Sequence, residues 1–379
     1  MTFSGFRSTA VAAATLLATA AFAQTSAPHD QTTPPEAADG ELKFSGYVDA
    51  SYNRLSESNT FNSGTANRVF DVKEKGVALQ QLAATVAMQP KQGLGGLLNV
   101  TGGRDADVIN SYGLGLGKRN KIDLTQAFLQ YATGPLTVIG GKFVTMAGAE
   151  VIKSAANPNF SRSILFGYAI PFTHSGFRAT YAVDDALNLM AGVNNGWDNF
   201  KDTNGSKTLE LGMTYAPSKA YALGAQAYSG KERVGGLTNI GPEGTRNLID
   251  LVGTVNATEQ LTFVVNYDYG SQKNATLAAG NNGTAKWSGV AGYANYQIDG
   301  QWRVSGRVEY FHDKDGYRTG VAQKWKEATL TVGYMPVKAL ELRAEVRADS
   351  SNVASFVNSS GTGASTSQKS FGVQAIYSF

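Results

Sequence analysis

The chain has 379 residues and no cysteine, so disulfides, thiolate metal sites and cysteine nucleophiles are excluded. Its 33 lysines and arginines against 30 acids leave no basic field able to draw nucleic acid. A soluble chain of this length would split into two or three domains, whereas a barrel forms one unit, and abundant glycine with 17 tyrosines and 18 phenylalanines leans towards the barrel.

Arg7 supplies a positive start, residues 9–20 are apolar and small, and Ala21-Phe22-Ala23 fits an A-x-A cleavage site. A signal peptide over 1–23, cut after Ala23, is expected, because the run falls short of the ~20 apolar residues a membrane-spanning helix needs. Residues 24–40 carry Pro28, Pro34 and Pro35 among small and polar residues and read as a flexible periplasmic leader. No later stretch is long and apolar enough for a transmembrane helix, so the exported chain is soluble or a barrel over 41–379.

From Leu42 onward one pattern repeats: a strand of about ten alternating residues, a long polar connection, another such strand, then a tight turn. Tight turns fall at Pro90 to Gly93, Thr133-Gly134-Pro135, Asp184-Asp185-Ala186, Pro217-Ser218-Lys219, Ala257 to Gln260, Asp299-Gly300 and Pro336-Val337-Lys338. The other connections, roughly 11 to 28 residues each, are rich in Asn, Gly, Ser and Thr. This two-beat rhythm predicts an all-β, antiparallel, up-and-down transmembrane barrel of about 16 strands, with 12, 14 or 18 as alternatives. Short turns would lie in the periplasm and long loops outside, with both chain ends on the short-turn side.

The strand faces allow sides to be assigned. Leu340, Leu342, Ala344, Val346 and Ala348 share one face, and Glu341, Arg343, Glu345, Arg347 and Asp349 the other. A barrel of about sixteen strands is too wide for side chains to fill, so the apolar face must look to lipid and the polar face into the lumen. Tyr131, Tyr215, Tyr221, Tyr296, Trp302, Tyr334 and Tyr377 near the short turns would form a periplasmic aromatic girdle. The last strand alternates down to Phe379, with Ile376 the one misfit.

At Gly141 to Glu150, Asn157 to Ser163 and Phe166 to Gly176, and more loosely from Phe44-Ser45-Gly46-Tyr47 over the rest of the barrel, the sequence resembles the OmpL-like putative outer-membrane beta-barrel porin family of Gram-negative bacteria. The resemblance implies a presumed porin in the outer membrane, and it makes Tyr377 and Phe379 look like the signal read by the outer-membrane assembly machinery. It brings no substrate and no catalytic set.

Residues 144–171 form the longest connection and are unusually apolar, with Met146, Ile152, Phe160, Leu165, Phe166 and Ile170. Such a loop is expected to pack, folding into the lumen as a constriction rather than over the rim or against a neighbouring subunit. Half a barrel away, Arg303, Arg307, Arg343 and Arg347 point inward, and a loop bearing Glu150 opposite them would set up a transverse field. Candidate pore-lining residues are Lys142, Glu150, Lys153, Arg162 and Arg178 on and around the loop, and Arg303, Arg307, Glu309, Arg343 and Arg347 on the wall. Because Glu309, Glu341, Glu345 and Asp349 match these arginines, weak ion selectivity is expected.

Gly113 to Lys118 departs from a phosphate-binding loop in its glycine spacing and in carrying Arg119 where Ser or Thr is required. His29, His174 and His312 are scattered, which disfavours a metal cluster. The expected function is a non-enzymatic porin passing small hydrophilic solutes through a water-filled lumen without a cofactor. Its partners would be outer-membrane lipid, lipopolysaccharide and the assembly machinery, and a homotrimer follows by analogy with barrels of this size. The alternatives are a non-channel barrel serving as an adhesin or structural protein, and a rim-site hydrolase built on His312 with Asp313 and Asp315, or on His174 with Ser175.

Overall fold

A computed structural model describes residues 40–72, 76–115, 121–233, 242–361 and 363–379. The signal peptide, the leader to residue 39 and part of the Gly113 to Lys118 stretch lie outside the described residues.

Alternation of apolar and polar residues lays the chain down as β1 (Lys43–Leu55), β2 (Val77–Met88), β3 (Gly93–Gly102), β4 (Ile122–Thr133), β5 (Leu136–Val144), β6 (Thr173–Ala182), β7 (Leu187–Asn194) and β8 (Thr208–Ser218). Then follow β9 (Tyr221–Arg233), β10 (Glu243–Asn256), β11 (Leu261–Thr276), β12 (Asn282–Gln297), β13 (Trp302–Asp313), β14 (Gln323–Val337), β15 (Leu340–Ser351) and β18 (Ser367–Ser378). These strands close into a 16-strand antiparallel barrel, in which β18 pairs with β15 on one side and β1 on the other. A small hairpin, β16 (Phe356–Val357) with β17 (Ala364–Ser365), sits inside the last long loop.

Short side-chain hydrogen bonds set the turns. The Asp184 carboxylate accepts from the backbone N–H of Ala186 and Leu187 at 2.8 Å each, and Asp299 accepts from Gln301 and Trp302 at 2.8 and 2.9 Å. The long connections are L1 (56–76), L2 (103–121), L3 (145–172), L4 (195–207), L7 (314–322) and L8 (352–366). One expected long connection is short: β11 and β12 run 16 residues each and meet across 277–281. Their outer ends carry Lys273, Thr284 and Lys286 on the outward face, which marks strand extending beyond the lipid zone.

Apolar residues cover the outside, among them Leu129, Phe177, Leu209, Val308 and Val346, while Asp250, Asp268, Arg307 and Glu345 are buried within. All seven girdle aromatics face outward near the short turns, and Trp302 and Tyr334 stack with their centroids 4.4 Å apart. At the seam, the Gly46 N–H donates to the Phe379 carbonyl at 2.8 Å and the Phe379 N–H donates back at 2.9 Å. A Cβ on Gly46 would lie 2.6 Å from the Phe379 ring, so the glycine makes room for the terminal aromatic. Ile376 breaks the outward pattern because it points inward, packed with Tyr47 and Ala83 against Ala155 of L3.

The inner face is not polar throughout, contrary to the expectation from barrel size. Trp287, Tyr293, Phe311 and Trp325 project inward and bury against Phe61 and Phe70 of L1 and Ile164, Leu165, Phe166 and Tyr168 of L3. The argument that an apolar lining leaves a dry void assumed an empty lumen, and here the chain's own loops fill that part of it.

Candidate functional site in the lumen

L3 leaves β5 through a neck closed by the Thr145 N–H donating to the Phe172 carbonyl at 2.9 Å. Gly148 takes a left-handed φ of 93°, and a Cβ there would lie 2.7 Å from Ile170, so the turn into the lumen needs glycine. The chain then crosses to the opposite wall. Ala149 N–H donates to Asn266 of β11 at 3.3 Å, and the Glu150 carboxylate takes a 2.7 Å bond from Arg307 of β13 and another of 2.7 Å from the Ser163 N–H.

The segment after Glu150 is tied into a compact turn by Asn157, whose side chain bonds the backbone of Val151 and Lys153. Gln81 of β2 holds this turn from the other side, donating to the Ile152 carbonyl at 2.9 Å and accepting from the Ser154 N–H at 3.2 Å. A short helix, α2 (Ile164–Tyr168), follows, its Ser163 cap accepting from Phe166 N–H at 2.9 Å. The other short helix, α1 (Ala106–Ile109), lies in L2.

The charged wall serves as a socket for this loop. Glu345 accepts from the N–H groups of Phe160 and Ser161 at 2.7 and 3.0 Å, and Glu309 from those of Ile164 and Leu165 at 3.0 and 3.2 Å. The arginines take the carbonyls: Arg303 that of Pro158 at 2.6 Å, Arg307 that of Ser161 at 2.8 Å, Arg343 that of Ser154 at 3.3 Å and Arg347 that of Arg162 at 2.7 Å. Each arginine also meets an acid: Arg303 and Arg343 meet Glu341, Arg307 meets Glu150, Glu309 and Glu327, and Arg347 meets Asp349 and Glu327. Buried charges persist only when paired and hydrogen-bonded in this way.

Glu150 therefore does not face the arginines across a water gap; it touches Arg307. The remaining candidates are placed separately. Arg162 turns back onto its own loop, donating to the Val151 and Ile152 carbonyls at 3.1 and 3.0 Å. Lys153 is half-buried above the Tyr47 ring at 6.0 Å. On the near wall Arg178 pairs with Glu210 at 2.6 Å over the Phe143 ring, and Lys142 pairs with Asp123 at 3.2 Å. In the periplasmic half, Thr85, Asn99, Thr180 and Asn188 of β2, β3, β6 and β7 face inward and keep partial exposure.

L2 reaches the same network through Asp105, which precedes α1 and accepts from Gln81 at 2.7 Å. Burial pushes the Asp105 carboxyl up to about 7; Arg162 opposes this and Asp49 adds to it.

Several contributors escaped sequence reasoning: Gln81, Asn266, Glu327 and the inward aromatics. A signal for the last existed, since Trp287 and Tyr293 keep step with Asn295 and Gln297 on the face expected to be polar. The hydrolase candidates do not assemble. His312 looks outward beside Lys324 while Asp313 looks inward, and His174 is buried and stacked on Tyr228 with centroids 5.1 Å apart.

The family described as "Putative beta-barrel porin-2, OmpL-like" matches residues 41–379. Solved structures with the same fold include the outer membrane channel DcaP of Acinetobacter baumannii, at 15% identity and TM-score 0.60, covering 92% of this chain and 99% of that one. OmpT of Vibrio cholerae in its trimer form is similar at 13% identity and TM-score 0.58 over 90% of this chain and 100% of that one. OprB of Pseudomonas putida is similar at 12% identity and TM-score 0.55 over 89% and 94%. No curated protein matches the sequence.

Proposed function

This chain belongs to the OmpL-like putative beta-barrel porin-2 family, and on that premise we propose that it is an outer-membrane channel through which small hydrophilic solutes diffuse passively, with L3 as its constriction. The observation that carries this reading is the one-sided docking of L3. Paired charges hold the loop against β13 to β15, and Thr85, Asn99, Thr180 and Asn188 leave a polar strip along the other side. Pairing of each wall arginine with acids supports weak ion selectivity.

Planar-bilayer conductance of the purified protein tests it. Deletion of 150–162 should raise single-channel conductance, and an unchanged conductance sinks the constriction. The dry cluster around Trp287, Phe311 and Trp325 favours a second reading, a barrel closed at its extracellular half that serves as an adhesin or scaffold. Liposome swelling separates the two, since a closed barrel passes no sugar.

Export through a signal peptide cut after Ala23 belongs to the same proposal and predicts Gln24 as the mature N-terminus, checked by terminal sequencing. So does a homotrimer, the form named for OmpT of Vibrio cholerae; cross-linking in the membrane tests it. Recognition of Tyr377 and Phe379 by the assembly machinery is read from loss of membrane-inserted protein when Phe379 is removed.

A further inference from the structure

The outer wall carries a depression of about 740 Å³, lined by outward-facing residues and floored by the strands that carry Tyr293, Arg307, Thr329 and Arg347 on their lumen side. It follows one paired row of residues around the barrel, Val265, Gly292, Val308, Ala328, Ala348 and Lys369, crossing from β11 to β18. The row begins about a third of the way up β11 from its periplasmic end and finishes near the extracellular end of β18. Five steps of roughly 4.8 Å on a row inclined by about 40° climb about 15 Å, the hydrocarbon depth of one leaflet.

Small residues make the floor, including Gly292 and Gly306. Glycine inside a strand weakens it, and packing does not require it at these two positions. A Cβ on Gly292 would come no nearer than 3.7 Å to Val308, and one on Gly306 no nearer than 3.9 Å to the Thr329 carbonyl oxygen. Both are ordinary contacts. Two strand glycines with free space above them fit the close approach of something from outside the barrel.

At the extracellular end the chemistry turns cationic. Lys369 closes the groove beside Ala348, Lys326 stands one row higher opposite Ser350, and Lys324 follows above it opposite His312. All three are exposed, whereas Glu309, Glu327, Glu345 and Asp349 of the same wall point inward. Lys326 and Lys369 flank β15, two strand spacings across and two residues along, roughly 12 Å apart. This sector is apolar below and positive above, which matches a phosphorylated lipid held from the outer leaflet.

We propose that this groove binds one acyl chain of an outer-leaflet lipopolysaccharide, with its phosphate groups on Lys326 and Lys369 and with Lys324 in reach. The site stands apart from the lumen, so it holds whether or not the barrel conducts.

The test titrates the purified barrel in detergent with deep-rough lipopolysaccharide and with its dephosphorylated form, counting bound glycolipid by native mass spectrometry. The unaltered protein should bind the dephosphorylated form at least about tenfold more weakly. Lys324→Gln, Lys326→Gln and Lys369→Gln together should abolish that discrimination, and Gly292→Leu with Gly306→Leu should weaken both forms by obstructing the floor. Equal binding by all three proteins overturns the proposal. So does a leucine variant that keeps its glycolipid but loses an oligomer seen in the unaltered protein, because the groove is then a contact between copies of this chain. Should the leucine variant fail to fold, the lysine variant decides alone, its substitutions lying at exposed positions.

Discussion

Gly372 carries no side chain where Phe160 of L3 comes down on β18; a Cβ there would lie 2.5 Å from the ring. Gly289 of β12 does the same for Leu165, at 2.7 Å. Neither has a left-handed φ, so the requirement is space for the loop. Gly372→Val should lift L3 from the wall and give larger or noisier single-channel currents, while the folded barrel keeps its heat-modifiable migration in gels. Arg307 is the other decisive residue, fully buried among Glu150, Glu309 and Glu327. Arg307→Met strands Glu150 and Glu309 without a cation while Glu327 keeps Arg347 at 3.8 Å, a loss of about 3–5 kcal/mol. Urea unfolding in detergent should show the drop, and Arg178→Met, which uncovers Glu210 alone, should cost less.

L3 and L2 meet through Gln81, and Asp105 gives that junction a pH dependence. Its folded-state pKa of about 7 lies above the usual carboxylate value, so its contribution to stability is full below about pH 4 and is lost as pH rises through about 7. L2 and L3 should therefore be held more loosely at about pH 8 than at about pH 5, seen as lower amide protection factors, relative to the intrinsic exchange rate at each pH, over 103–112 and 150–158. Asp105→Asn should remove the difference. The length and apolar content of L3 were legible from residues such as Phe160 and Leu165, because a solvated loop has no use for them. Its docking was not. The arginine and glutamate stripe of β15 announces charge balance but not whether water or backbone lies above it, and Glu345 is claimed by two N–H groups some 184 residues earlier in the chain. The loop boundary itself came within a residue, 144–171 against 145–172.

For the whole barrel, strand number was readable because two-beat loop spacing and single-face alternation both depend on local sequence. The apolar cluster in its extracellular half was not, since it arises from L1, L3 and distant strands meeting at Phe61, Phe166, Trp287, Phe311 and Trp325. With every wall arginine paired to an acid, a tenfold salt gradient should give a reversal potential near zero. A large shift of either sign would contradict the neutral lumen.

The distance in sequence between L3 and its socket also orders events in time. Translation finishes the loop long before β13, β14 and β15 exist, and the contacts that tie it to those strands span 144 to 189 residues, as for Leu165 with Glu309 and Ser154 with Arg343. Until the last strands arrive, Phe160, Leu165 and Phe166 have no cover, and an unfinished chain presents them as bait for proteases. Cleavage within 150–166 should accordingly be rapid in chains truncated before Trp302 and absent once β18 has sealed against β1. Protection of this one loop would then serve as a clock for completion of the barrel.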